Sequence, residues 1–384
     1  MIAQPSNDLY YSIEAVHTVY DKVKTIYNYY GKPNNLTLAE ASGGHSYGSR
    51  EELRPEVLSF FMKELKGIHM TPEEIGEIDI SKDLSNEDLR VYINGAPKDD
   101  LTKTIQDSFV NLAVPPKIED LKQLDTYRKE VVDFLKIKTF GAFPKKPVPL
   151  DIRLDFKATM NKGKYLENYS FVSEKGWRLN ISLRKNSTAD KLQPLLLVLR
   201  NPNEERWASE SLVSGLKRKT NVAFFEARGI GETGWSPSLQ WHIRRAATWT
   251  GRTVASMRVY DVLRCLEALR QIPGIDPDNI SIVSQGEMAA IAPYAALMDG
   301  NINSLILKNP PATQNVASEP SGRGEAIEML NCLRITDLPQ VAGLMFPKQL
   351  VVKGKQPKSY DWTEKLYNTL KRPDAYKKTE KLPD

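Results

Sequence analysis

The sequence predicts an α/β protein whose larger part is a mostly parallel sheet with helices on both faces. Five short, unbroken apolar runs follow one another in the second half of the chain, at 195–199, 222–225, 280–283, 305–307 and 350–352. Segments with apolar residues at helical spacing separate several of these runs. Unbroken apolar strands that alternate with helices are typical of parallel strands buried on both faces.

Length and composition narrow the classes of function. The chain has 384 residues, 41% hydrophobic and 26% charged, which is long enough for two domains. The net charge of +5 is small and the Lys and Arg are spread along the chain, so nothing favours nucleic acid as a partner. No apolar run approaches the roughly 18 residues of a membrane helix, so no membrane association is expected. The first residues, MIAQPSNDLYYS, lack the features of a signal peptide.

The N-terminal region alternates helix and strand signals. Residues 13–30 carry apolar side chains at helical spacing, and Gly31-Lys32-Pro33 ends this helix. A short strand at 36–38 leads into the glycine-rich turn SGGH, and a second helix is predicted over about 51–66. Pro55 is compatible with that helix only in its first turn.

Residues 67–154 differ in character from both flanking regions. They contain one convincing helix, at about 117–137, weak strand signals at 91–93, and proline-rich ends. Because this region lacks the apolar periodicity of an independent core, we interpret it as a connector that packs on its neighbours.

Two local patterns follow the connector. A β-hairpin is predicted around Glu174-Lys175-Gly176, between Phe171-Val172 and an alternating strand that starts at Trp177. The segment 229–234, GIGETG, matches the glycine pattern of dinucleotide sites, but it leads into WSPS rather than directly into a helix. We therefore interpret it as a glycine-rich turn, and the sequence predicts no cofactor and no metal.

The order of elements from residue 165 onward resembles the α/β-hydrolase fold, and this defines a predicted domain at 155–384. The segment VAFFEARGIGETGW is similar to the strand and loop of bacterial acetyl xylan esterases, and LLLVLRNP to the strand before the oxyanion-hole loop. GRTVASMRVYDVLRCLEAL resembles the helix before the nucleophile strand, with Cys265 in its core-facing stripe as a small buried hydrophobe. DPDNISIVSQGEMAA then occupies the place of the nucleophile elbow.

The register of that elbow suggests that the catalytic residues are missing. If Ile280 begins the elbow strand, Gly286 occupies the nucleophile position, where an oxygen or sulfur is required. A shift of two residues would make Ser284 the nucleophile, a less favoured alternative. The expected acid loop reads Lys355-Gln356-Pro357, Asp361 begins the next helical pattern, and no histidine follows residue 242. The resemblance thus implies a degenerate domain without a Ser-His-Asp triad.

The N-terminal region resembles the last two loops of another α/β-hydrolase. In PSNDLYYSIEAV, Asp8 takes the place of the triad acid, and in LAEASGGHSYGSREELRPEVLSFF, His45 takes the place of the base. Asp8 could instead cap a turn, and His45 could be an ordinary surface residue. Their joint occurrence in the order of the family favours a catalytic pair, with 1–66 as the C-terminal remnant of a first hydrolase domain.

The resemblance therefore implies the C-terminal portion of a tandem esterase. In that reading the serine nucleophile lies in a missing N-terminal segment, the substrate is an acyl ester or acetylated polysaccharide, and the location is periplasmic or secreted. The alternatives are a non-catalytic pseudo-hydrolase module that binds carbohydrate or a partner, and a split enzyme whose partner chain supplies the serine.

Overall fold

The computed structural model divides into two units, Met1–Leu101 and Thr102–Asp384. It describes residues 1–45, 52–76, 85–102, 104–160, 164–186, 192–202, 204–213, 220–316 and 324–379. Within these ranges, none of the helices is long and apolar enough to cross a membrane. The division of the sequence into 1–66, 67–154 and 155–384 remains a prediction.

The first unit contains a two-stranded parallel sheet and three helices. The strands are β1 (Ile2–Pro5) and β2 (Leu38–Ala41), and the helices are α1 (Ile13–Tyr29), α2 (Leu53–Lys66) and α3 (Pro72–Ile75). Ser12 caps α1 by accepting a hydrogen bond from the Ala15 N–H at 3.2 Å, and Gly67 ends α2 in a left-handed conformation. Both predicted helices are confirmed, and the predicted strand lies slightly later than the pattern suggested.

The core of the first unit is small. Ala39, Ala41 and Leu53 form its buried apolar cluster in the described part of the unit, with Met1 and Ala3 packed against them. No residue of α1 is buried, although the helix has a marked apolar stripe. Two strands and a core of this size are too little for an independent fold.

The second unit is built on a larger sheet. Its described strands are β3 (Arg153–Met160), β4 (Lys164–Glu174), β5 (Trp177–Lys185), β6 (Gln193–Leu199), β7 (Asn221–Phe225), β8 (Ile275–Gln285), β9 (Ser304–Lys308), β10 (Gln349–Lys353) and β11 (Tyr376–Thr379). They lie in the order β11-β10-β9-β8-β6-β7-β5-β4-β3. The pairs from β7 to β11 are parallel, and those among β3, β4, β5 and β7 are antiparallel. The chain passes from β6 to β7 on one side and from β8 to β9 on the other, so the switch point where an open α/β sheet forms its binding crevice lies between β6 and β8.

Helices cover this sheet. They are α4 (Leu121–Phe134), continued by a π-helical turn (Leu135–Thr139), α5 (Arg206–Leu212), α6 (Pro237–Trp249), α7 (Val254–Leu269), α8 (Met288–Asp299), α9 (Leu338–Gly343) and α10 (Asp361–Thr369). Along β6, Leu197 belongs to the main core and its neighbour Val198 to a second cluster on the opposite face. The parallel strands are therefore buried on both faces, as their unbroken apolar sequences predict. Cys265 on α7 is fully buried, as expected.

Some local predictions are confirmed and others are wrong. The hairpin β4–β5 turns at Lys175-Gly176, and the five apolar runs all form strands. The predicted long helix begins later, at Leu121, because Asp120 caps it by accepting the Gln123 N–H at 2.8 Å. The strand predicted at 91–93 is wrong: this segment forms turns with exposed side chains. The edge strands β3 and β11 were not predicted.

Candidate functional site

Asp8 and His45 lie in the loops that follow the two parallel strands of the first unit. Parallel strands present their carboxyl ends at the same edge, so both loops leave β1 and β2 side by side. The loops are joined by a hydrogen bond from the Ser6 N–H to the Ala41 carbonyl at 2.8 Å. In this arrangement Nδ1 of His45 lies 2.8 Å from Oδ2 of Asp8. The structure brings these two predicted site residues into direct contact.

The surroundings of Asp8 keep its carboxyl group ionised. The side chain is fully buried, whereas that of His45 is 43% exposed. Oδ1 accepts the backbone N–H groups of Tyr10 at 2.8 Å and Tyr11 at 3.3 Å, and Oδ2 accepts the Gln4 amide at 3.1 Å. Burial raises the pKa of Asp8, but the hydrogen bonds that it accepts, first of all the one from His45, outweigh burial and lower the pKa to about 2. The carboxylate can therefore accept a hydrogen bond from Nδ1–H of His45. This fixes the tautomer in which Nε2 is the nitrogen that can accept a proton.

Aromatic rings also position the imidazole of His45. The Tyr10 ring stands edge-on to it, with ring centroids 4.9 Å apart, and the Tyr11 ring lies at 6.2 Å. The other histidines have different surroundings. His17 on α1 forms an exposed pair with Glu40, at 2.6 Å, and His69 and His242 are exposed. None of these three lies in a buried carboxylate pair like that of His45.

In the second unit, the turn between β8 and α8 has the backbone of a nucleophile elbow. Gly286 is the first residue after β8, with φ of +53°, and α8 begins two residues later at Met288. A left-handed residue between strand and helix is the strained conformation of such elbows. A Cβ atom on Gly286 would lie 2.7 Å from Nδ2 of Asn201. Asn201 in turn accepts the Met288 N–H at 3.0 Å, so its amide occupies the space beside the turn.

Ser284 lies inside β8, two residues before the turn. Its side chain is fully buried, and its Oγ has no hydrogen-bond partner among the described residues. The neighbouring residues of the same strand face, Ile280 and Ile282, belong to the main core. Ser284 therefore has neither access to solvent nor a base hydrogen-bonded to it among the described residues.

The loop after β10, which should carry the acid of the second unit, packs against amides instead. After β10, the Lys355 N–H donates to Oδ1 of Asn309 at 2.9 Å. Gln356 accepts the Tyr376 hydroxyl at 2.6 Å, and Asp361 is the exposed first residue of α10. In the part of the chain that the structure describes, no three His, Cys, Asp or Glu side chains are placed to hold a metal ion.

Buried ion pairs lie near the carboxyl edge of β6, β7 and β8. Arg228, which follows β7, donates through Nε and Nη2 to the two oxygens of Asp261 on α7, at 2.8 and 2.7 Å. Its Nη1 donates to Glu174 at 3.0 Å, and Ser173 donates to Asp261 at 2.6 Å. Burial lowers the pKa of Arg228, but Asp261 and Glu174 raise it more, so the guanidinium stays charged.

A second buried pair joins the elbow to α7. Arg258 pairs with Glu287, which directly follows Gly286, and also donates to the Arg228 carbonyl at 3.1 Å. Sequence reasoning missed these residues. The available signal was a set of charged side chains within the apolar pattern of α7, because charges that face a core need partners.

The glycine-rich segment after β7 is a turn, as predicted. Gly231–Thr233 forms one 3₁₀ turn, and α6 begins only at Pro237. Gly231 has φ of +58°, and a Cβ there would collide with the Glu226 carboxylate. Gly229 has φ of +73° and lies against the ring of Trp235. These glycines are required by local packing rather than by a bound phosphate.

Comparisons with known proteins identify the fold. No family model and no curated protein matches the chain. A putative acetyl xylan esterase from Bacteroides fragilis is similar in structure, with a TM-score of 0.54 and 13% identity, over 68% of this chain and 80% of that one. A glucuronoyl esterase from Solibacter usitatus has a TM-score of 0.50 and 13% identity, over 68% of this chain and 87% of that one. The chain has the α/β-hydrolase fold and is related in fold to esterases, as its sequence predicts.

Proposed function

We propose that the first unit supplies the acid and the general base of a serine carboxylester hydrolase. The observation that carries this proposal is the 2.8 Å contact between His45 Nδ1 and the buried, ionised Asp8. Nε2 of His45 would take the proton of a serine hydroxyl while the serine oxygen attacks the ester carbonyl carbon. It would then give the proton to the departing alkoxide, while Asp8 stabilises the imidazolium.

In this proposal the serine comes from a segment outside the 384 residues, in the same protein or in a partner chain. The surface of the first unit supports this, because large apolar side chains that a hydrolase domain would bury are exposed. Tyr29 and Tyr30 are 80% and 78% exposed, and Leu65 is 75% exposed. Further strands packed on this surface would complete the sheet, and a nucleophile elbow belongs to those strands.

The second unit, in the same proposal, is a degenerate hydrolase domain of a tandem protein. Gly286 has no nucleophilic atom, Ser284 is buried, and charged residues near the elbow are engaged in ion pairs. The names of the two similar structures support an esterified polysaccharide as the substrate of the complete enzyme. A periplasmic or secreted location is consistent with such a substrate.

Reconstitution tests the catalytic proposal. The DNA upstream of Met1 is read for an in-frame segment that encodes G-x-S-x-G, and the chain is expressed with that segment or with a co-purifying partner. We expect the 384 residues alone to be inert towards p-nitrophenyl acetate and the reconstituted protein to be active. His45→Ala should reduce kcat by roughly 10²–10⁴-fold. His17→Ala, which removes the exposed pair with Glu40, is the matched control and should leave activity unchanged.

Two results would contradict the catalytic role. One is a stop codon just before Met1 together with the lack of any serine-supplying partner, and the other is equal activity of His45→Ala and the unmodified protein. A purely non-catalytic module is the second candidate function, favoured by the glycine at the elbow tip. A reconstituted protein that stays inert but binds polysaccharide would support that alternative.

A further inference from the structure

A polar groove lies on the sheet of the second unit. Its volume is about 830 Å³, and its floor includes Asn168 and Ser170 of β4 and Asn180 and Ser182 of β5. These positions alternate with core residues such as Ile181, so they face away from the main core. The amide and hydroxyl groups of this floor can both donate and accept hydrogen bonds. The floor is therefore suited to a ligand that carries many hydroxyl groups.

A second cavity extends the groove to the carboxyl ends of β6 and β7. Its volume is about 390 Å³, and it shares Arg200 and Gly231 with the first. Asn201 and Trp235 also line it. Both volumes lie within the range of roughly 300–1,000 Å³ that is usual for small-molecule sites. The combined groove therefore runs from β4 and β5 to the vestigial elbow.

The guanidinium groups in the groove are already paired with carboxylates of the protein. Arg200 pairs with Glu226, and Arg178 pairs with Asp151 and donates to Ser170 at 3.1 Å. Among the lining residues the carboxylates outnumber the guanidinium groups, and Asn180 donates to one of these carboxylates, Glu232, at 2.6 Å. Such a site does not favour an anion, because no lining cation lacks a carboxylate partner.

Some hydrogen-bonding capacity remains unused. Oδ1 of Asn168 and Nε of Arg200 are buried without a hydrogen-bond partner in the described ranges. Leaving such atoms unpaired costs roughly 1–3 kcal/mol each unless water or a ligand pairs with them. Both residues line the groove, so a ligand with hydroxyl groups can satisfy the site after small side-chain shifts.

Trp235 provides an apolar platform at the elbow end. One part of its ring covers Gly229, and its Nε1–H donates to Gln240 at 3.2 Å, which fixes the ring. Trp177 stands edge-on to it, with centroids 6.4 Å apart. An immobilised indole beside polar groups can pack against the C–H face of a sugar ring while neighbouring side chains bind its hydroxyls.

We propose that this groove binds a neutral oligosaccharide. Trp235 packs against one sugar ring, and the side chains of Asn168, Asn180 and Arg178 form hydrogen bonds with hydroxyl groups of the oligosaccharide. The site is independent of Asp8 and His45. The proposal goes beyond the catalytic function, since it assigns to the second unit a ligand of its own. Its test needs no nucleophile and uses the 384-residue chain directly.

The experiment is calorimetric titration of the chain with three neutral hexasaccharides, from xylan, cellulose and mannan, and with a hexagalacturonate. We expect saturable binding of at least one neutral sugar, with a Kd below about 1 mM. Asn180→Ala and Trp235→Ala should each weaken it at least tenfold. Asn315→Ala and Trp249→Ala, at exposed positions outside the groove, are the matched controls and should bind normally.

Three outcomes would overturn the proposal. They are the absence of saturable binding by all three neutral sugars, tighter binding of the hexagalacturonate than of any neutral sugar, and unchanged binding in both Asn180→Ala and Trp235→Ala. Circular dichroism of each variant checks that the fold is kept. Because no ester is cleaved in this experiment, failure of the catalytic proposal would leave its result unaffected.

Discussion

The candidate site of the first unit and the turn after β8 in the second unit each have a different part of a hydrolase site. In the first unit, the loops after β1 and β2 hold an acid and a histidine in contact, beside a sheet of only two strands. In the second unit, a large sheet keeps the strand–turn–helix backbone of an elbow, but Gly286 stands at its tip. The comparison teaches that a two-stranded sheet is enough to align an acid with a histidine, and that a strand–turn–helix backbone can form around a residue that has no nucleophilic atom.

The largest expected effect concerns the buried ion pair between Arg228 and Asp261 in the second unit. Asp261→Ala would leave Arg228 without its main partner in the core and should lower the free energy of unfolding by about 3–5 kcal/mol. All six tryptophans lie after residue 102, so urea unfolding followed by tryptophan fluorescence reports on the second unit. Asp374→Ala, which removes an exposed pair with Arg372, is the control and should leave the free energy of unfolding nearly unchanged. If Asp261→Ala and Asp374→Ala lowered the free energy of unfolding equally, the pair between Arg228 and Asp261 would be solvated rather than buried.

The next prediction tests whether the elbow can be restored by one substitution. Gly286→Ser should remain inert towards a fluorophosphonate probe, because no histidine follows residue 242 in the sequence, where the base of this fold belongs. It should also destabilise the protein by about 2–4 kcal/mol, through the positive φ and the clash with Asn201. Gly300→Ser has a similar φ of +75° but open space around it, and should cost only about 1–2 kcal/mol. Probe labelling of Gly286→Ser would contradict the proposed loss of catalysis.

A smaller effect is expected at the alternative serine. Ser284→Ala removes a buried hydroxyl that has no partner, so stability should change by less than about 1 kcal/mol or increase. Ser173→Ala, which removes a hydrogen bond to Asp261, should cost about 1.5–3 kcal/mol. Urea midpoints measure the stability of both variants, and neither substitution should change p-nitrophenyl acetate hydrolysis by the reconstituted protein. Loss of esterase activity in Ser284→Ala alone would instead identify Ser284 as the nucleophile.

The last prediction concerns pH and the acid–histidine pair. The folded pKa of Asp8 is about 2, below its ordinary 3.8, so Asp8 stabilises the folded state in full above pH 3.8. This stabilisation is lost as the pH falls from 3.8 through 2, where the folded carboxyl becomes protonated. A ¹³C NMR titration of the Asp8 carboxyl should give a midpoint near 2. A midpoint at 3.8 would show that the carboxyl lacks these hydrogen bonds.

Periodicity predicted the interior of the fold better than its edges. The apolar runs that became β6 to β10 are buried on both faces, so their sequences leave little ambiguity. The edge strand β3 reads RLDFKATM and is almost entirely exposed, and β11 is four residues with two lysines. Such strands form because a neighbouring strand offers backbone partners, and their own side chains carry little signal. At 91–93 a strand was predicted and none forms. The β-branched residues of this segment favour a strand, but a strand also needs a neighbouring strand to pair with.

The sequence by itself determined the α/β-hydrolase order of elements, the glycine at the elbow tip and the lack of any histidine after residue 242. The tertiary structure decided which side chains meet. It placed His45 against Asp8 across 37 positions, buried Ser284, and paired Arg228 with Asp261 across 33. Periodicity reports which face of an element is buried, but contact and ionisation depend on distances through space, which only the folded chain fixes.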